Sequence, residues 1–399
     1  MTARRAMVFP SEHRVFTDEH TGATVHQLTN APHVSHPTYF LRSSFTPGQR
    51  SVIFTSYRTG SAQLFEAGFP EGEIRQLTEG GAIHPFSPII APQGETVFFV
   101  REGSIWETTL DSLEERLVAK FEGQLGECSL SADGRWFVAA CRGPSGWGIV
   151  TGSVEGSKSR FISFPRIIIH PQFSPLDSDW IEFAADPAPR MHRIRRDGSG
   201  LECLYEHDND EFVVHETFLG TTGDLVFTVW PKALKRINWT THEISTIADF
   251  NAWHITPNRD GTKVLCDTNH PDTGLQLVDV ATGARETICL SKATSQGSQW
   301  LRSRYALAED WEAAAASPEK DKALSWMEMQ GDTVYGPQWT HPHPSFSPDE
   351  TMVAFASDQS SHTQVYVAEL PEHQRPRKPN ARQAATEAQT EVWAKAAET

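Results

Sequence analysis

The 399-residue sequence predicts an all-β chain folded as a seven-bladed β-propeller. Three observations carry that reading. Seven segments share one pattern, an apolar strand, a turn rich in Pro, Asp or Gly, then a second strand with bulky residues. Their spacing is roughly 40 to 45 residues, the length of one four-stranded blade. Near the N-terminus, Gly22-Ala-Thr-Val-His-Gln-Leu-Thr matches Glu73-Ile-Arg-Gln-Leu-Thr, the outer strand of a blade. The two ends of the chain can therefore close one ring, with residues about 18 to 29 completing the last blade.

The seven units follow in order. Phe45-Thr-Pro-Gly precedes Ser51-Val-Ile-Phe, and Ile90-Ala-Pro-Gln-Gly precedes Thr96-Val-Phe-Phe-Val. Leu130-Ser-Ala-Asp-Gly precedes Trp136-Phe-Val-Ala-Ala, and Phe173-Ser-Pro-Leu-Asp precedes Trp180-Ile-Glu-Phe. Phe218-Leu-Gly-Thr-Thr-Gly precedes Leu225-Val-Phe-Thr-Val. Ile255-Thr-Pro-Asn-Arg-Asp-Gly precedes Lys263-Val-Leu-Cys, and Phe346-Ser-Pro-Asp precedes Met352-Val-Ala-Phe-Ala. The second strand of each unit is expected to be half-buried. The gap between units six and seven is twice the others and marks an insertion at about 291–336. Its run Tyr305-Ala-Leu-Ala-Glu-Asp-Trp-Glu-Ala-Ala-Ala-Ala favours helix. Residues 1–370 read as a single propeller, and 371–399 as a polar, mobile tail.

Composition narrows the function classes. A formal net charge of -16 argues against a duplex-binding surface, which needs clustered Lys and Arg. One local arginine or a metal ion still suffices for a small anionic ligand. No apolar run is long enough to span a bilayer, and no signal-peptide core follows the N-terminal arginines. The five cysteines are odd in number and widely spaced, which suits free thiols in a reducing, cytoplasmic setting.

The histidines fall into register. His170, His215 and His343 each sit five residues before the equivalent position of their turn signal, with His254 slightly closer and His36 and His84 further away. Innermost strands face the propeller axis, so these imidazoles would line a polar funnel. Gln338-Trp-Thr-His-Pro-His-Pro adds His341 beside His343, two apart in a proline-stiffened extended segment where alternate side chains share a face. His254, His341, His343 and Gln338 would supply three nitrogens and an oxygen. That donor set suits Mn²⁺, Zn²⁺ or Fe²⁺, the amide leaning toward an ion harder than zinc. His215 lies on another blade and is left as a base, and Arg190 is placed to meet an anionic group. His36, Arg42, His84 and His170 are the expected substrate-binding residues of the same funnel.

The stretch Gln338-Trp-Thr-His-Pro-His-Pro-Ser-Phe-Ser-Pro-Asp, with Phe355-Ala-Ser-Asp358 and Thr21-Gly-Ala-Thr-Val-His-Gln-Leu-Thr, resembles the signature of oligogalacturonate lyases. The resemblance runs through most of residues 14 to 370. It implies a propeller that cleaves short uronic-acid oligomers of pectin by β-elimination with a manganese-type ion. It further implies His215 as base, His254, His341, His343 and Gln338 as metal ligands, and Arg190 at the substrate carboxylate. The chain departs from the family where Ala184-Ala-Asp-Pro-Ala replaces a Cys-His-Glu-Gly-Pro segment, so a different uronide, such as a glucuronic-acid-containing oligomer, is the nearest alternative. Two other classes stand beside it. A non-enzymatic binding propeller resembling the TolB type would need no histidine cluster, and a metal-dependent hydrolase would need an acidic ligand or base.

Overall fold

A computed structural model describes residues 6–269, 271–294 and 338–376. The described strands form seven antiparallel sheets, five of four strands and two of five, arranged as a seven-bladed propeller. Blade 1 runs outward from Ser35–Pro37 through Ser51–Ser56 and Gln63–Gly68 to Ile74–Gln76, with Val8–Phe9 added at its rim. Blades 2 to 6 begin at Ile89–Ile90, Gln124–Leu130, Ile167–Phe173, Val213–Phe218 and Ala252–Pro257. Blade 7 begins at Ser345–Phe346 and continues through Met352–Ser357 and Gln364–Glu369.

The ring closes as the sequence predicts. Thr24–Gln27 pairs with Gln364–Glu369 in the register Val25↔Ala368, His26↔Val367 and Gln27↔Tyr366, and Arg14–Thr17 adds a further strand outside it. Apolar side chains cement the closure, because Val25, Phe355, Tyr366 and Ala368 belong to one buried cluster. Blade 7 is thus built from both ends of the chain, which removes the free sheet edge that an open ring would expose.

The second strands are more buried than expected. Ser51–Ser56 and Leu225–Val229 are buried at every position, because each blade is covered on both faces by its neighbours. Alternating burial returns toward the rim, as in Thr24–Gln27 and Ile74–Gln76. Two expectations at the insertion change as well. Gln338–Thr340 is a 3-10 turn and not a strand, and His341 and His343 lie in irregular chain just ahead of Ser345–Phe346. The helix expected within 291–336 lies outside the described residues, apart from the short irregular stretch 291–294. Of the tail, 371–376 is described and holds the 3-10 turn Glu372–Gln374, while 377–399 lies outside. Among the described residues no helix is long and apolar enough to cross a membrane.

Candidate metal and catalytic centre

The histidines reach the axis through a repeated backbone irregularity. In blade 4, Ile169 pairs with Ala184 and Gln172 with Glu182, so His170 and Pro171 together oppose the single residue Phe183. In blade 5, His215 and Glu216 oppose Phe227, and in blade 6, Trp253 and His254 oppose Asp267. Blade 7 repeats the device outside its named strand. Pro342 O accepts the Ala356 N–H (2.8 Å) and Ser345 pairs with Ala354, which leaves His343 and Pro344 facing Phe355. Each is a β-bulge, two residues against one, which bends the strand and re-aims its side chains. His170, His215 and His343 share left-handed backbone, with φ of 54°, 57° and 45°. Such conformations are costly for side chains other than Gly, Asn or Asp, and they concentrate where function holds them in place. Blade 3 has the same bulge but carries Gly126 and Glu127 there, so the histidine series skips it.

His254, His341 and His343 converge. Their ligand-capable atoms lie within 4.8 Å of one another, and all three rings are buried. Ring centroids are 4.0 Å apart for His254 and His343, 5.3 Å for His254 and His341, and 5.9 Å for His341 and His343. Asp267, the residue facing the blade 6 bulge, bonds both the His254 backbone N–H (2.6 Å) and its ring Nδ1 (2.7 Å). With Nδ1–H donating to that carboxylate, His254 turns the lone pair of Nε2 to the cluster. The Nε2 atoms of His254 and His343 are buried without a hydrogen-bond partner. Burial and the neighbouring imidazoles push both groups well below the ordinary histidine value, so the rings are neutral. Neutral, orphaned, converging imidazole nitrogens fit a divalent transition metal. His341 is held differently, its Nδ1 accepting the Trp253 indole N–H (3.2 Å). A neutral imidazole has one lone pair, so His341 must turn its ring or give up this bond to bind an ion. Gln338 begins the 3-10 turn, but its side chain lies outside the described residues.

His215 stands beside this trio, its ring 4.4 Å from that of His254 and 4.5 Å from Trp253. Its Nδ1 is buried without a partner, and burial followed by the adjacent His254 pushes it well below the ordinary histidine value. His170 belongs to a second chain of contacts. Tyr39 Oη meets His170 Nε2 (2.8 Å), His170 Nδ1 meets Glu216 Oε1 (3.0 Å), and Arg190 Nε donates to Glu216 Oε2 (2.9 Å). Arg190 Nη1 also donates to Asp186 Oδ1 (2.6 Å). Burial works against charge on both partners, yet Arg190 holds the Glu216 carboxyl well below the usual range, and Glu216 and Asp186 hold the guanidinium charged. Arg190 is therefore 4% exposed and already engaged by two carboxylates.

Of the remaining expected residues, His36 stays beside the cluster, near His343 through Phe86, whereas His84 and Arg42 lie apart. His36 stacks on Phe86 (4.8 Å) with Nε2 unpartnered, and burial pushes it down to about 4. His84 is half-buried ahead of Ile89–Ile90, its backbone N–H bonded to Val100 O (2.9 Å). Arg42 does not join the histidines. It lines a cavity toward the other end of the channel, because Phe40, packed against His170, His215, His254 and His343, lies between. Sequence reasoning missed Tyr39, Phe40, Glu216 and Asp267. A carboxylate ending the apolar run Val264-Leu-Cys-Asp267 and another directly after His215 were the available signals.

No family model matches the chain. It is 20% identical to the oligogalacturonide lyase of Pectobacterium atrosepticum, covering 91% of this chain and 97% of the relative. It is 21% identical to the oligogalacturonate lyase of Dickeya dadantii, covering 90% and 96%. Among solved structures, an oligogalacturonate lyase in complex with manganese superposes with a TM-score of 0.76 at 20% identity, over 92% of this chain and 99% of that one. The oligogalacturonate lyase of Vibrio parahaemolyticus gives 0.74 at 19%, over 93% and 100%. Over nine-tenths of its length the chain is thus similar in sequence to the oligogalacturonate lyases, and it shares the propeller fold of two of them.

Proposed function

We propose that this chain is a metal-dependent lyase that cleaves short uronic-acid oligosaccharides by β-elimination. The observation that carries the reading is the convergence of His254, His341 and His343 within 4.8 Å, with His215 against them and its buried Nδ1 unpartnered. Homology to named oligogalacturonate lyases, one of them in complex with manganese, supports oligogalacturonate-like substrates and Mn²⁺ as the ion.

The reaction removes the C5 proton of a uronate and expels the oxygen at C4. A bound divalent ion supplies Lewis acidity, neutralising the uronate carboxylate and making the C5 proton more acidic. The expelled C4 oxygen takes up a proton from water to leave as a hydroxyl, and the chain's own groups bind, orient and abstract. His254, fixed by Asp267, together with His343 and His341 would hold the ion, with Gln338 the fourth donor that the sequence suggests. His215 takes the proton, a role for which burial keeps it in the free-base form. Arg190 has Nε and Nη1 on carboxylates, which leaves Nη2 as the donor for a substrate carboxylate. Asp186, one of those partners, lies in the Ala184-Ala-Asp-Pro-Ala segment where the chain departs from the family.

Paired variants test the assignment. His215→Ala should lower kcat about 10²–10⁴-fold while metal content by elemental analysis stays at the wild-type level. His343→Ala should lose metal and activity together. Retention of near-full turnover in His215→Ala would pass the base role to another group, and retention of metal in His343→Ala would dissolve the proposed site.

A further inference from the structure

The channel has two ends, and the chain itself separates them. After Ser35–Pro37 the backbone turns toward the axis, where Thr256 Oγ1 sits between two carbonyls that share its one proton, Pro344 O (2.6 Å) and Phe40 O (2.9 Å). Tyr39 packs its ring 5.1 Å from His343 and 5.4 Å from His170. On the far side of Phe40, where the turns after the innermost strands gather, lies a cavity of about 420 Å³. Every blade contributes to its wall, from the Pro47 turn of blade 1 round to the Pro348 turn of blade 7. Neither the cluster histidines nor His215 line it.

The charge in this wall runs against the molecule. The chain has 51 Asp and Glu against 35 Lys and Arg, yet the wall holds two guanidinium groups, Arg42 and Arg259, and no carboxylate. The acids of the adjoining turns are spent locally. Asp133 accepts from the Ser131 hydroxyl (2.6 Å) and the Arg135 N–H (3.0 Å), and Glu350 from the Arg259 backbone N–H (2.7 Å) and the Asn258 amide (3.3 Å). Arg42 donates from Nη1 to Leu41 O and from Nη2 to Ser129 Oγ, each at 2.9 Å. A guanidinium has five N–H donors, so most of this one's capacity remains, and no carboxylate among the described residues pairs with it. Arg42 is half-buried, so its charge is partly shielded from water and an incoming anion would complete it. Around it the wall is largely apolar, with Ile90, Leu130 and Phe173 among its residues.

We propose that this cavity is a second binding site, separate from the histidine centre, for a small organic carboxylate with an apolar body. The carboxylate takes the open donors of Arg42, and the body packs on Ile90, Leu130 and Phe173. The volume falls within the range of small-molecule sites, whose common form is an apolar wall with a few fixed polar groups.

The test titrates 2-naphthoate into the full chain by calorimetry, with uncharged 2-naphthamide as the matched control. Naphthoate should saturate one site per chain and bind at least about tenfold more tightly than the amide, the scale of one charge-assisted bond. Arg42→Met should erase that preference without changing metal content at the histidines, which separates this proposal from the lyase reading. Should Arg42→Met fail to fold, Ile90→Trp, which keeps the guanidinium but fills the cavity, should abolish binding of both compounds. Equal affinity for acid and amide in the wild type, no saturable binding, or naphthoate binding unaltered in these variants would overturn the proposal.

Discussion

Asp267 shows how much of the centre depends on a residue that would touch neither metal nor substrate. It fixes the His254 ring from Nδ1 and holds the same residue's backbone N–H. Asp267→Asn keeps the shape but no longer compels His254 to present a bare Nε2, so metal affinity should fall about 10–100-fold by competition with a chromogenic chelator. Unchanged affinity would show that packing alone sets the tautomer. Glu216 is the other hidden support. It joins His170 to Arg190 with both oxygens, and Glu216→Gln leaves a buried guanidinium balanced by Asp186 alone. Stability should drop on the order of 3–5 kcal/mol, read from the denaturant midpoint at constant slope. The sequence exposed His254, His341, His343 and His215 because their spacing to the turn signals is written in the chain. It concealed Asp267 and Glu216, since nothing local tells a buried orienting carboxylate from a surface one.

At the scale of elements, the bulge is the unit that builds the site. Strict alternation along an extended strand was the expected route to a shared face for His341 and His343. The structure uses left-handed backbone at His343 and equivalent bulges in neighbouring blades instead. A bulge has no reliable sequence signature, so the register of histidines was legible while its geometry was not. Blade closure was fully legible, because the N-terminal strand repeats the outer-strand pattern of Ile74–Gln76. The closure can be checked with two substitutions on adjoining strands. Val25 is 2% exposed and packs in the blade 7 core, whereas Val15 is 58% exposed. Val25→Asp buries an unpaired charge and should cost several kcal/mol, while Val15→Asp should stay within about 0.5 kcal/mol of wild type. Equal thermal midpoints for the two variants would mean that the N-terminal strand does not hold the ring together.

For the whole molecule, the ring of blades gives two unlike ends to one channel. At one end, imidazoles from blades 4 to 7 meet around the metal-capable trio. At the other, seven turns enclose an arginine-lined cavity, with Tyr39 and Phe40 between. The repeat period foretold the ring, but the plug could not be read from it, because Tyr39 and Phe40 belong to a single blade and break the repeat. All five cysteines are unpaired, in keeping with the spacing in the sequence. The chemistry proposed for the histidine end is elimination on a uronate. The most direct measurement incubates the manganese-supplemented chain with a panel of galacturonate and glucuronate oligomers and follows near-ultraviolet absorbance. Elimination leaves a C4–C5 double bond conjugated to the carboxylate, so absorbance should rise with at least one oligomer and stop when a chelator is added. A flat trace across the whole panel, with metal bound at the trio, would contradict the account.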